Sequence, residues 1–112
     1  MTEYQYRHKN LADGQWLKLS FFEQMANIGS EVERAICWRE ERPDYSEKAF
    51  ERALELLDLT VGDPKNRFRL KELLRVREVL VDYFKFGNLY GSSDQKWRNY
   101  FYSFNYAARI SV

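Results

Sequence analysis

Apolar residues recur along this chain at intervals of three and four, the spacing that puts them on one face of a helix. Leu17, Phe21, Phe22, Met25, Ile28, Val32 and Ile36 form the first stripe. It predicts a helix from about Trp16 or Ser20 to Glu41, and the Ser20/Glu23 pair has the spacing of a capping box. Pro43 stops this helix, because the residue before a proline is pushed out of helical geometry. A second helix is expected from about Tyr45 to Thr60, with Asp44 as its N-cap and Glu47 three residues on. Ala49, Phe50, Ala53, Leu54, Leu56 and Leu57 share one half of its wheel, while Glu47, Lys48, Glu51, Arg52, Glu55 and Asp58 fill the other. That division describes an outer helix with one covered side.

In Val61-Gly62-Asp63-Pro64, Gly62 can end a helix, Asp63 can cap the next, and Pro64 suits a first turn. A third helix then runs to about Phe86. Its apolar arc, Leu70, Leu73, Leu74, Val76, Val79, Leu80, Val81, Tyr83 and Phe84, exceeds half the circumference and predicts packing on two neighbours. Arg77 falls near the centre of that arc. An unpartnered buried guanidinium costs several kcal/mol, roughly, so Arg77 is expected in a charge pair inside the molecule. Glu33, at the edge of the first helix's apolar face, is the expected acid, with Glu31 and Asp58 in reserve. Gly87 to Ser93 reads as a loop, Ser92 and Gln95 have capping-box spacing, and a fourth helix runs from about Asp94 to Arg109.

Short connections between long helices favour antiparallel neighbours. The expected architecture is all-α: a single antiparallel up-down four-helix bundle over residues 15–112, preceded by a polar N-terminal tail over residues 1–14. Gly29 sits in mid-helix at a cost of about 1 kcal/mol relative to alanine. With Ala26, it would let another helix approach closely.

Composition narrows the picture. With 112 residues, 45% hydrophobic and 31% charged, the chain is globular rather than disordered. No apolar run approaches the roughly 20 residues that span a bilayer, and the N-terminus lacks a signal-peptide core, so no membrane association is expected. The single cysteine, Cys37, excludes an intrachain disulfide, fits a reducing cytoplasm, and is expected to be a small, partly buried helix residue. Net charge is +1 but unevenly placed: 12 acidic against 8 basic residues up to Gly62, then 5 against 10 beyond it. The two halves can attract each other within one fold or between two copies, or leave a basic face for a polyanion.

Catalytic chemistry finds little support. His8 is the only histidine and lies in the tail. That excludes a zinc cluster and a di-iron Glu-x-x-His bundle. It also removes the Arg-x4-6-His motif that a HEPN-like helical ribonuclease would need, leaving only a fold-level analogy. There is no glycine-rich phosphate loop. No cofactor is expected, and the chain reads as a non-enzyme.

Two surfaces remain. In the fourth helix Trp97, Tyr100, Phe101, Phe104 and Ala108 face the core, whereas Tyr102 and Tyr106 point elsewhere, one turn apart and flanked by Arg98 and Arg109. Tyrosine and arginine together are enriched where proteins dock. This strip is the expected contact surface of an interaction module, for a second copy or another protein. The alternative is a nucleic-acid accessory protein using Arg67, Lys71 and Arg75, which share one face of the third helix.

Three stretches carry a resemblance: Asn27-Ile28-Gly29-Ser30-Glu31-Val32; Ala53-Leu54-Glu55-Leu56-Leu57-Asp58-Leu59 with Asp63-Pro64-Lys65-Asn66-Arg67; and Tyr100-Phe101-Tyr102-Ser103-Phe104-Asn105-Tyr106-Ala107-Ala108-Arg109. Together they resemble an uncharacterised family of short, all-helical prokaryotic proteins. The resemblance implies a stand-alone cytoplasmic protein and brings no activity, ligand or site residue with it.

Overall fold

Two reciprocal hydrogen bonds at Ser20 decide where the first helix starts. The Glu23 N–H donates to the Ser20 hydroxyl (3.1 Å) and the Ser20 N–H donates to the Glu23 carboxylate (2.9 Å), closing the capping box. The computed structural model describes residues 14–110, and among these there are four α-helices and no strand. They are α1 (Phe21–Trp38), α2 (Pro43–Val61), α3 (Leu70–Lys85) and α4 (Asp94–Ile110), with 3-10 turns at Trp16–Lys18 and Pro64–Arg69. The expected tail, apart from Gly14, lies outside the described residues. So does His8.

α1 is the central element, packed along α2 on one side and α4 on the other, while α3 lies against α2. The core is drawn from every helix: Met25, Ile28, Val32 and Ala35; Ala49, Phe50, Ala53 and Leu57; Leu73 and Leu80; Trp97 and Phe101; with Trp16 closing one end. α2 buries the half-wheel its sequence predicts. It begins two residues early, however, with Pro43 at its first position and Arg42 as the cap residue, so Asp44 lies in the first turn and pairs with Arg42 instead of capping. Proline loses nothing there, since its missing N–H would have no helical partner. At α4 the cap is Ser93, whose hydroxyl accepts from the Lys96 N–H (3.1 Å), one residue beyond the serine the spacing suggested.

The third helix departs most from expectation. Its first six residues form a 3-10 turn, and α3 proper starts only at Leu70. Asn66 explains the break. It is turned inward, its amide donating to Gln24 Oε1 (2.9 Å) and to the Thr60 carbonyl (3.0 Å). Gln24 in turn donates to the Trp16 carbonyl (3.0 Å) and to Asp63 Oδ2 (2.9 Å). The Trp16 indole donates to the Thr60 hydroxyl (3.0 Å), which donates to the Leu56 carbonyl (2.8 Å). Asp63 caps the turn by accepting from the Lys65 N–H (3.1 Å), and the Lys65 ammonium closes on the same carboxylate. Gln24, Thr60, Asp63 and Asn66 are all buried. Burial alone would push the Asp63 carboxyl up. The Lys65 ammonium, the Gln24 amide and the Lys65 N–H together outweigh that and hold it below the usual aspartate range. The stabilisation this depression represents is full above an unfolded value of about 3.9 and is lost as pH falls through the lower folded value.

Gly29 is where α4 comes closest to α1. A Cβ built there would lie 2.7 Å from Phe101 Cβ and 2.9 Å from its Cγ, nearer than atoms tolerate. The expected close approach is present, and its occupant is the Phe101 ring.

Two expectations follow. Gln24→Ala strips partners from a buried carboxylate, an amide and a carbonyl, and should cost about 2–4 kcal/mol, read as a lower urea midpoint at unchanged slope. Gly29→Ala should also lower the midpoint, by about 1–2 kcal/mol. Overpacking against Phe101 exceeds the roughly 1 kcal/mol of helix propensity gained; a raised midpoint would show that α4 shifts freely.

Candidate interaction surface

The side chains of α4 divide by its helical period. Trp97 and Phe101 are buried one turn apart and stack with ring centroids 5.9 Å apart. Tyr100 and Phe104 are half-buried beside them, ring edge to ring face at 5.2 Å. On the outer side Tyr102 is 69% exposed and Tyr106 59% exposed, with Ile110 continuing the line. The division into core rings and outward rings is the one the sequence predicts. The exposed Ile110 was not expected to join the strip; its four-residue spacing from Tyr106 is the signal that places it there.

Next to Tyr102, a groove of about 500 Å³ runs between α1 and α4. Val32, Ile36, Trp97 and Phe101 form its floor, and Arg34, Arg98 and Tyr102 its rim. Among the described residues the buried Trp97 indole N–H has no hydrogen-bond partner. Tyr106 and Arg109 carry the exposed face past the groove toward the end of the helix. Arg109 has no acidic partner among the described residues.

Arg98 closes across the groove onto α1. Its Nε donates to both Glu33 oxygens (2.9 and 3.2 Å) and a terminal nitrogen donates to Oε2 (3.0 Å). The Cys37 thiol donates to the same carboxylate at 3.0 Å. The Arg98 guanidinium holds the Glu33 carboxyl below its usual range, against the opposing push of burial. Accepting from the thiol, Glu33 in turn raises the Cys37 pKa, because loss of the proton would set two anions side by side. Cys37 itself is exposed, not half-buried as expected.

This geometry corrects the expected charge pair. Glu33 belongs to Arg98, and Arg77 does not reach it. Arg77 donates to Asp58 on α2 from Nε (2.8 Å) and from a terminal nitrogen (3.4 Å); Arg77 is half-buried and Asp58 exposed, so the pair sits at an edge rather than inside. The reason lies in what covers α3. Its core face centres on Leu73, Val76 and Leu80, so the half of the apolar arc holding Leu70, Leu74 and Arg77 turns away from the core. An arginine at the centre of an apolar arc is buried only when the whole arc is.

Arg67, Lys71 and Arg75 are exposed and have no acidic partner among the described residues. Arg67 lies over the Phe68 ring (4.7 Å) and Arg75 over the Tyr90 ring (4.7 Å). They are not joined to the α4 strip: Tyr100, donating to Glu72 at 3.0 Å, stands between the two faces. A third polar cluster ties the helices at one end. Asp94 accepts two bonds from Arg39 (2.7 and 2.9 Å) and one from the Tyr83 hydroxyl. Among the described residues no group of His, Cys, Asp and Glu is placed to hold a metal ion, and no helix is long and apolar enough to cross a membrane. No family model, curated protein or solved structure matches the chain.

The Glu33–Cys37 contact has a measurable consequence. With its pKa raised, Cys37 carries less thiolate at pH 8 than an ordinary cysteine. Iodoacetamide should therefore label it more slowly in the folded chain than in urea, and Glu33→Gln should speed folded-state labelling. Equal rates in folded wild type and Glu33→Gln would show that the carboxylate does not govern the thiol.

Proposed function

We propose that this chain is a small, non-enzymatic helical interaction module, working in the cytoplasm, that docks a protein through the outer face of α4. The docked protein is a second copy or another chain. The helices run up and down as an antiparallel bundle, a reading supported by the short connections between α1 and α2 and between α2 and the turn before α3. The observation that carries the docking reading is the exposure of Tyr102 and Tyr106 at successive turns, beside a groove with an apolar floor and an arginine rim. Large amphipathic rings at the mouth of a cleft bury much area at little entropic cost and keep a polar handle at the edge. Arg98, fixed by Glu33, presents a positioned cation rather than a free one, so little order need be imposed on binding.

A second reading rests on a separate observation. Arg67, Lys71 and Arg75 lack acidic partners among the described residues and lie beside an exposed phenylalanine. That combination suits phosphate contact with base stacking, and its signature is binding that weakens steeply with salt.

Docking at α4 is tested by placing p-benzoylphenylalanine at position 102 and irradiating in cells. Discrete protein adducts are expected, of twice the 13.6 kDa chain mass for self-docking or another mass for a different partner. Adding Tyr106→Glu should reduce them about tenfold or more. Absence of any protein adduct would overturn the reading.

A further inference from the structure

α3 leaves part of its apolar arc without cover. Leu70 and Leu74 are exposed and Val81 is half-buried, on one stripe with Arg77. Beyond the helix the chain folds back along it. The Asp82 carboxylate accepts from the N–H groups of Leu89 (3.0 Å) and Tyr90 (3.1 Å), and the Tyr90 hydroxyl donates to Glu78 (2.7 Å). These bonds fix two large apolar side chains in the open, Phe86 at 73% and Leu89 at 89% exposure. Between them and the helix, Leu74 and Val81 help line a groove of about 580 Å³. At the other end of the same face, the 3-10 turn holds Phe68 88% exposed, with the Arg67 guanidinium as its aromatic-face contact.

We infer that this face takes a second copy of the chain, two α3 helices lying antiparallel about a two-fold axis near Leu74 and Arg75. A two-fold interface uses one patch twice, so the patch must carry both a projection and a matching hollow, equally spaced from the axis. Phe68 and Val81 satisfy this, lying at equal separations along the chain on either side of it. The ring of one copy enters the hollow formed by Leu74, Val81, Phe86 and Leu89 of the other, and the reverse contact forms at the opposite end.

Charge gives the same register independently. The same axis sets Lys71 opposite the second copy's Glu78, twice over. Lys71 has no acidic partner among the described residues of its own chain, and the hydrogen bond found for Glu78 is from the Tyr90 hydroxyl. Arg77 keeps its Asp58 pair at the edge of the contact. A single-stranded nucleic acid would use the cations and Phe68. It leaves Leu74, Phe86 and Leu89 unexplained, because aliphatic side chains offer a base nothing to stack on and the far end of the face lacks the unpaired cations of the near end. The inference goes beyond the α4 reading and gives the two faces different occupants.

Sedimentation equilibrium over the range up to about 100 µM tests it. Wild type should approach twice the 13.6 kDa chain mass. Phe68→Glu and, separately, Leu89→Asp should each weaken the dimer about thirtyfold or more, with helicity unchanged because neither side chain is in the core and melting lowered only as far as loss of the dimer requires. Lys71→Glu should weaken it about tenfold, and adding Glu78→Lys should restore it. A monomeric wild type overturns the inference, as does a dimer indifferent to Phe68→Glu. Dissociation by Tyr102→Glu/Tyr106→Glu alone also overturns it while leaving the α4 reading intact. So does a monomer that binds a short single-stranded oligonucleotide in a salt-sensitive way, which assigns the face to nucleic acid.

Discussion

Gln24 holds the architecture together at its least helical point. Its one amide group touches three separate segments: the turn before α1 through Trp16, the cap of the following turn through Asp63, and the inward Asn66. In a bundle whose helices meet by apolar contact, sliding along a helix costs little until something polar must stay paired. Here the α2–α3 junction cannot slide, because doing so would strand a buried carboxylate and several amide groups away from water. The 3-10 geometry of residues 64–69 follows from the need to point Asn66 inward, and with it the outward stance of Phe68.

Much of the helical plan was legible because it rests on local chemistry. Ser20 and Glu23 cap α1, Asp63 caps its turn, and Gly29 receives a neighbouring helix as its lack of a side chain suggests. The one-sided wheel of α2 and the split of the α4 aromatics into core and surface could be read from period alone. What escaped the sequence was whatever depends on which neighbour is absent. A wheel shows that α3 is apolar over more than half its surface but not that only part of it is covered. That is why Arg77 looked buried and pairs instead at an edge with Asp58, and why Leu74 stands exposed. Gln24 drew no notice, since nothing local separates a glutamine that organises a core from one that is solvated.

The pairing of ions follows the same logic. Glu33 with Arg98, Glu47 with Lys85, and Asp58 with Arg77 each join an acid of the first half of the chain to a base of the second. Part of the uneven charge is therefore spent inside the fold, pinning α4 to α1 and α3 to α2. These are exposed pairs worth at most about 1 kcal/mol each, so they choose orientation more than they supply stability. Among the described cations that lack an acidic partner, Arg67, Lys71, Arg75 and Arg109 lie on the two faces that also expose large apolar side chains.

The notch at Gly29 governs more than local packing. Phe101 seats in it, and Tyr102 is the very next residue, so the depth of that seat sets how far the outer tyrosines stand off the groove. A methyl group added out of sight beneath the helix would act as a shim, lifting and tilting the whole wall. Changes in recognition could therefore arise at a position that no bound molecule ever touches.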